Sequence, residues 1–166
     1  MRSSIDYKFM QQQGFAVFSQ EDSSFRVRAL QFQPTIVGSL VLVAALLQSW
    51  QLYLGLSLIL WLNILVPKAN PFENTYNALF IRDPEKPKIQ PAPGPRRFAQ
   101  GMAAVFMLGA VVSILMHLTI LAYVFEGFLL LAFGVLLFGK FCLGSYIYHL
   151  LQGDASFANA TCPWSP

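Results

Sequence analysis

Residues 128–150 read FLLLAFGVLLFGKFCLGSYIYHL. This is a nearly unbroken apolar run of about twenty residues, the length at which a helix crosses the hydrocarbon core of a bilayer. Lys140, Cys142, Ser145, Tyr146 and His149 are set into its C-terminal end, so the side chains able to do chemistry are expected near one membrane face. Composition extends this reading to the whole chain. Of 166 residues, 55% are hydrophobic and only 11% charged, with a mean hydropathy of +0.52. A soluble domain carries about 25% charged residues. An all-α integral membrane protein of one compact domain is therefore expected.

Working outward, residues 98–151 are long enough for two spans. Glu126-Gly127 is the expected turn, giving helices near 98–124 and 128–151, and a cut near His117 is the alternative that leaves Glu126 inside the last helix. Gly109, Ser113 and His117 recur every fourth residue, the small-residue spacing that lets two helices approach closely, and helix packing is the reading of that stripe. Residues 34–66 would make a single helix of about 50 Å, too long for one span. The polar Gln48-Ser49-Trp50-Gln51 breaks the run into helices at 34–48 and 51–66, with Pro34 in the first turn of one and Pro67 closing the other. Asn63 is read as a hydrogen-bonding group between helices.

The segments outside these four helices are polar. In the central loop, 67–97, Asn70-Pro71 resembles a cap and first turn, and Phe72, Tyr76, Leu79 and Phe80 share one face, which predicts a short helix lying in the interface. The proline-rich DPEKPKIQPAPGP beyond it predicts an extended linker. Residues 1–33 have no signal-peptide pattern and are expected as a cytoplasmic arm, either lying on headgroups through Phe9, Phe15, Val17 and Phe18 or partly disordered. Residues 152–166 are expected as a disordered cytoplasmic tail. The fold expected is four transmembrane helices in two helical hairpins, joined by a cytoplasmic loop that carries the interfacial helix.

Charge sets the orientation. Arg2, Lys8, Arg26 and Arg28 precede the first span, Lys68, Arg82, Lys86, Lys88, Arg96 and Arg97 lie in the central segment, and neither expected turn holds a basic residue. The positive-inside rule then puts both termini and the central loop in the cytoplasm. The net charge of +3 is spread over segments flanking apolar runs, without a nucleic-acid-binding pattern. The expected partners are the lipid bilayer and other membrane proteins or a second copy of the chain, with no nucleic acid.

Chemistry has few candidates. His117, His149, Glu126, Lys140 and Cys142 form no catalytic constellation when placed on these helices, and no hydrolase, nucleotide-binding or zinc motif is present. Neither an enzyme, a cofactor nor a metal is expected. Lys140 sits two to three turns below the cytoplasmic surface in this reading and can snorkel to it. On a continuous helix Lys140 and Cys142 point apart, which makes Cys142 a buried, inert thiol. A disulfide with Cys162 is not expected. The expected role is an accessory or structural membrane component. A thiol-dependent module handling sulfur or redox equivalents through Cys142, and a small transporter working as an oligomer, are the alternatives.

Two motifs carry a family resemblance. Pro95-Arg96-Arg97-Phe98-Ala99-Gln100 opens the second apolar half and Phe141-Cys142-Leu143-Gly144 lies near its end. With the Asn70-Pro71 loop between the two halves, this layout resembles a family of small bacterial integral-membrane proteins catalogued as a domain of unknown function, over about residues 22–150. Members often end the second motif FCxGC, with two cysteines, whereas Ser145 stands at the second position here. The resemblance implies topology and a bacterial source, and brings no activity with it.

Overall fold

A computed structural model describes residues 2–15, 20–80 and 91–164, all helical or irregular, with no strand among them. Among the described residues eight α-helices follow in order: α1 (Arg2–Gln12), α2 (Gln20–Leu47), α3 (Trp50–Leu65), α4 (Pro71–Phe80), α5 (Gly94–Leu115), α6 (Thr119–Phe138), α7 (Leu143–Leu151) and α8 (Ala155–Ala160). A 3₁₀ turn, Pro67–Ala69, precedes α4. Three stretches are long and apolar enough to cross a membrane: Val27–Leu47 within α2, α5 and α6. The apolar α3 is shorter, at 16 residues.

The long helices pack antiparallel around one core. Along α2 and α6, Gln31 Nε2 donates to the Leu137 carbonyl at 3.2 Å, Gly38 faces the Phe133 ring, and Gln48 reaches Glu126. Along α3 and α5, Arg97 Nη2 donates to the Ile64 carbonyl at 2.6 Å and Ser57 Oγ to the Ala104 carbonyl at 3.0 Å. Val37, Val41, Ala44, Tyr53, Leu60, Ala104 and Met107 fill the space between them. The outward faces are apolar too: Ile120 is 82% exposed, Leu46 76% and Phe138 91%. Such a surface suits hydrocarbon rather than water.

The helix boundaries depart from the expected ones, and the causes are local. Five left-handed residues end helices: Gly14, Gln48, His117, Lys140 and Gly153. After Gln48, His117 and Gly153 the next amide turns back to a carbonyl five residues earlier: Ser49 to Ala44, Leu118 to Ser113 and Asp154 to His149. This is the Schellman closure, usually made with glycine. The expected helix 98–124 therefore runs from Gly94 to Leu115, and His117 belongs to the turn. Glu126-Gly127 lies inside α6 because Gln48 Nε2 donates to both Glu126 oxygens at 3.0 Å, giving the buried carboxylate a partner. The expected helix 128–151 is two helices, broken at residues 139–142.

The flanking segments are also ordered. The first helix starts at Gln20, not Pro34, and passes through that proline. The arm contains α1, whose Phe9 and Met10 pack on Val27 and Leu30, so burial in the protein replaces the expected contact with headgroups. Val17, Phe18 and most of the proline-rich linker lie outside the described residues. In the tail, α8 is held by Tyr146 Oη donating to Asn159 Oδ1 at 2.9 Å and by Trp164 against the Phe141 ring at 5.4 Å. The short helix expected after Asn70 is α4, capped by Asn70 Oδ1, which accepts from the Phe72 amide at 3.0 Å.

Candidate functional site

The break between α6 and α7 makes Cys142 the N-cap of α7 (φ −96°, ψ 99°). Two residues before it, Lys140 adopts φ 50°, which turns the chain out of the α6 axis. Ser145, in the first turn of α7, donates its hydroxyl to Cys142 Sγ at 3.2 Å. The thiol is buried, and that burial pushes its pKa up. The Ser145 hydroxyl, the amides of Ser145 and Gly144, and the charge of Arg96 all pull it down. Every specific contact thus favours the thiolate, but the loss of water outweighs them and the pKa stays above its ordinary value.

Lys140 and His149 tie α1 to this end of the helices. Lys140 Nζ pairs with Asp6. His149 Nε2 donates to the Gln12 carbonyl at 3.0 Å, and Gln12 Oε1 accepts from the Cys142 amide at 2.9 Å. The cation whose charge acts on the thiol is Arg96.

Arg96 is 5% exposed at the start of α5. Pro34 has no amide to give the carbonyl of Leu30, and Arg96 Nη2 takes that carbonyl at 3.5 Å. Arg96 also donates to Gln13 Oε1 at 3.5 Å and to Gln33 Oε1 at 3.3 Å, and its guanidinium lies 5.6 Å from the centre of the Phe15 ring. Gln33 Oε1 further accepts from Asn70 Nδ2 at 3.3 Å and Gln100 Nε2 at 3.2 Å. The only carboxylate paired with Arg96 among the described residues, Glu73 on α4, is 3.6 Å away, a charge contact without a hydrogen bond. Burial raises the Glu73 pKa and Arg96 lowers it in part. Gln100 Oε1 and Gln12 Nε2 are buried without a hydrogen-bond partner.

Two cavities meet at the thiol. One of about 70 Å³ is mostly apolar but carries Gln13, Gln33, Arg96 and Gln100 on its wall, and another of about 120 Å³, also apolar, runs between α5 and α6. Cys142 lines both. The structure therefore gathers Cys142, Lys140 and His149 at one end of the helices and leaves His117 exposed in the turn at the other. Gly109 lies under the Phe125 ring of α6, and Ser113 Oγ donates to the Gly109 carbonyl at 2.7 Å.

Sequence reasoning missed the glutamines, Arg96, Glu73 and the Gln48–Glu126 contact. The signal available for Arg96 and Gln100 was their place in the Pro95–Gln100 motif. Gln12, Gln13 and Gln33 offered none, because a glutamine in a polar arm reads as solvated.

No curated protein and no solved structure matches the chain. A family model matches residues 26–153, which span α7 and all but the first residues of α2 and leave α1 outside, and the chain belongs to that family, described as Domain of unknown function (DUF4395).

Proposed function

We propose that this is a bacterial inner-membrane protein with four spans, whose working group is the Cys142 thiol at the cytoplasmic end. In this reading the thiol handles sulfur or redox equivalents by thiol–disulfide exchange. One observation carries it: Cys142 caps α7 with Ser145 donating to its sulfur and with Arg96 as the nearby charge. A purely structural accessory component, the role expected from sequence, leaves that arrangement without a use. The thiolate attacks one sulfur of a disulfide, a mixed disulfide forms on Cys142, and the other half leaves as a thiolate that takes up a proton. Ser145 cannot resolve the product, so a second, external thiol must release it.

Ser145→Ala removes one donor to the thiolate while leaving the helix end intact. The rate at which the neutral disulfide 4,4′-dithiodipyridine modifies Cys142 in a Cys162→Ser protein should fall about tenfold, since a hydrogen bond to a charged group contributes about 1.5–3 kcal/mol. An unchanged rate would remove Ser145 from the mechanism. Absence of any reaction up to pH 9 would overturn the function.

Orientation rests on charge. With α6 ending at Phe138, Lys140 joins the residues that the four-span arrangement puts on one side, so that all eleven Lys and Arg lie there. At 16 residues α3 is about 24 Å long, enough where the polar Gln48-Ser49 turn lies about 10 Å below the α5–α6 tip. On a background without native cysteines, Glu85→Cys and Ala155→Cys should be shielded from an impermeant maleimide added outside intact cells, and His117→Cys should react. Outside labelling at position 85 would reverse the topology.

A further inference from the structure

We infer that the substrate of this thiol is a small, lipid-soluble disulfide that reaches Cys142 from within the membrane. The inference rests on the thiol function proposed above and adds the substrate class and its route.

Access is the first argument. Towards the aqueous end, α1 closes the thiol with three ties, from Gln12 to Cys142, from Gln12 to His149 and from Asp6 to Lys140. On the other side the apolar cavity leads outward between α5 and α6, two of the helices long and apolar enough to span a membrane. Its rim carries Phe128, 57% exposed, and Leu143, 42% exposed. Phe106 meets Phe128 edge-on at 6.0 Å between centroids and forms part of the wall. A cavity with this lining, opening on a hydrocarbon-facing surface, admits apolar solutes and penalises charged ones.

Size and polarity narrow the occupant. The cavity, about 120 Å³, is a cleft between packed helices, so no folded protein's disulfide enters. At the inner end Cys142 also borders the smaller cavity, where Gln13, Gln33, Arg96 and Gln100 join an otherwise apolar wall. Gln100, 8% exposed, lines that cavity with Oε1 unpartnered, and the Arg96 guanidinium lies alongside. A buried hydrogen-bonding atom left unused behind a nucleophile is unexplained by packing.

The chemistry uses both halves. The Cys142 thiolate attacks the nearer sulfur of R–S–S–R′ held in the apolar cavity, forming Cys142–S–S–R and breaking the original S–S bond. The leaving R′–S⁻ carries the electron pair and takes up the proton that Cys142 gave up on ionising. Arg96 stabilises negative sulfur at either stage. Oxidation state is conserved overall, so no further oxidant is needed.

The test compares two chromogenic disulfides on Cys162→Ser protein in phosphatidylethanolamine–phosphatidylglycerol vesicles: neutral, membrane-soluble 4,4′-dithiodipyridine and the dianion 5,5′-dithiobis(2-nitrobenzoate). Each rate is divided by that of Cys162 in Cys142→Ser protein, which corrects for intrinsic reagent reactivity. The neutral probe should then react at least about tenfold faster than the dianion, because the charged probe must be desolvated to enter. Ala132→Phe, which fills the apolar cavity, should slow the neutral probe by a similar factor. Equal normalised rates for the two probes, unchanged by Ala132→Phe, would overturn the membrane route while leaving the thiol function standing. Failure of both probes at Cys142, with Cys162 reacting normally, would overturn the two together.

Discussion

Glu73→Leu should cost about 3–5 kcal/mol of stability, while Arg96→Met should cost less than half of that. The asymmetry follows from which partner can shed its charge. With Glu73 removed, Arg96 remains a buried cation, and a guanidinium does not give up its proton inside a protein. Its remaining acceptors, Gln13, Gln33 and the Leu30 carbonyl, are neutral and lie at 3.3–3.5 Å. With Arg96 removed, Glu73 takes up a proton instead, and burial already moves it that way. The sign of the pH dependence follows. A carboxyl whose folded pKa is raised binds its proton more tightly in the native state, so its contribution is present below the unfolded value of about 4.3 and is lost as pH rises through the raised one. Arg96→Met removes the attraction that holds Glu73 down and so moves its pKa further up. The destabilisation by Arg96→Met should therefore be smaller at pH 5 than at pH 8, measured by thermal unfolding in mild detergent. A pH-independent cost, or a larger cost for Arg96→Met than for Glu73→Leu, would show that the pair is not the source of stability.

Hydropathy was enough to see apolar helices, because chain length against bilayer thickness is a strong constraint and Ser49 and Asn70 are ordinary capping residues. Helix ends were legible only where the residue type announces them. Gln48, His117 and Lys140 adopt left-handed backbone without being glycine, so the break at Lys140 did not stand out and the one near His117 was only the alternative to Glu126-Gly127. Glu126-Gly127 misled for the opposite reason: the pair looks like a turn, yet Gln48 accommodates the acid and Gly127 has open space around it. The Cys142 site was hidden by the same error. A continuous helix over 128–151 directs Lys140 and Cys142 apart and makes the cysteine inert, whereas a break at 139–142 turns it into an N-cap. Pro34 was read as a helix start because proline favours the first turn. Within α2 it instead frees a carbonyl for an arginine more than sixty residues away, a long-range compensation that no local pattern encodes.

Gly144→Ala should be the most disruptive of the single-methyl additions, and its effect should appear at Cys142. A Cβ on Gly144 would lie 2.6 Å from both Cα and Cβ of Ala99, where α7 crosses α5. Neither atom can swing aside, so α7 must move as a body. Forced repacking of this kind costs about 1–3 kcal/mol. Gly109→Ala offers a contrast: its Cβ would meet the outer ring atoms of Phe125 at 2.7–2.9 Å, and that side chain can rotate away. Gly127→Ala is the second contrast, since nothing lies within 4 Å of it and alanine in a helix interior contributes about 0.5–1 kcal/mol over glycine. The order of melting temperatures should be Gly127→Ala, then Gly109→Ala, then Gly144→Ala. Because the first turn of α7 carries both Ser145 and the capped thiol, displacing it should also weaken the Gln12 tie to the Cys142 amide. Charged thiol reagents, excluded from the native protein, should then modify Cys142 in Gly144→Ala but not in Gly109→Ala. If Gly144→Ala melts with Gly127→Ala and keeps its thiol protected, the close crossing of α7 and α5 does not hold the site shut.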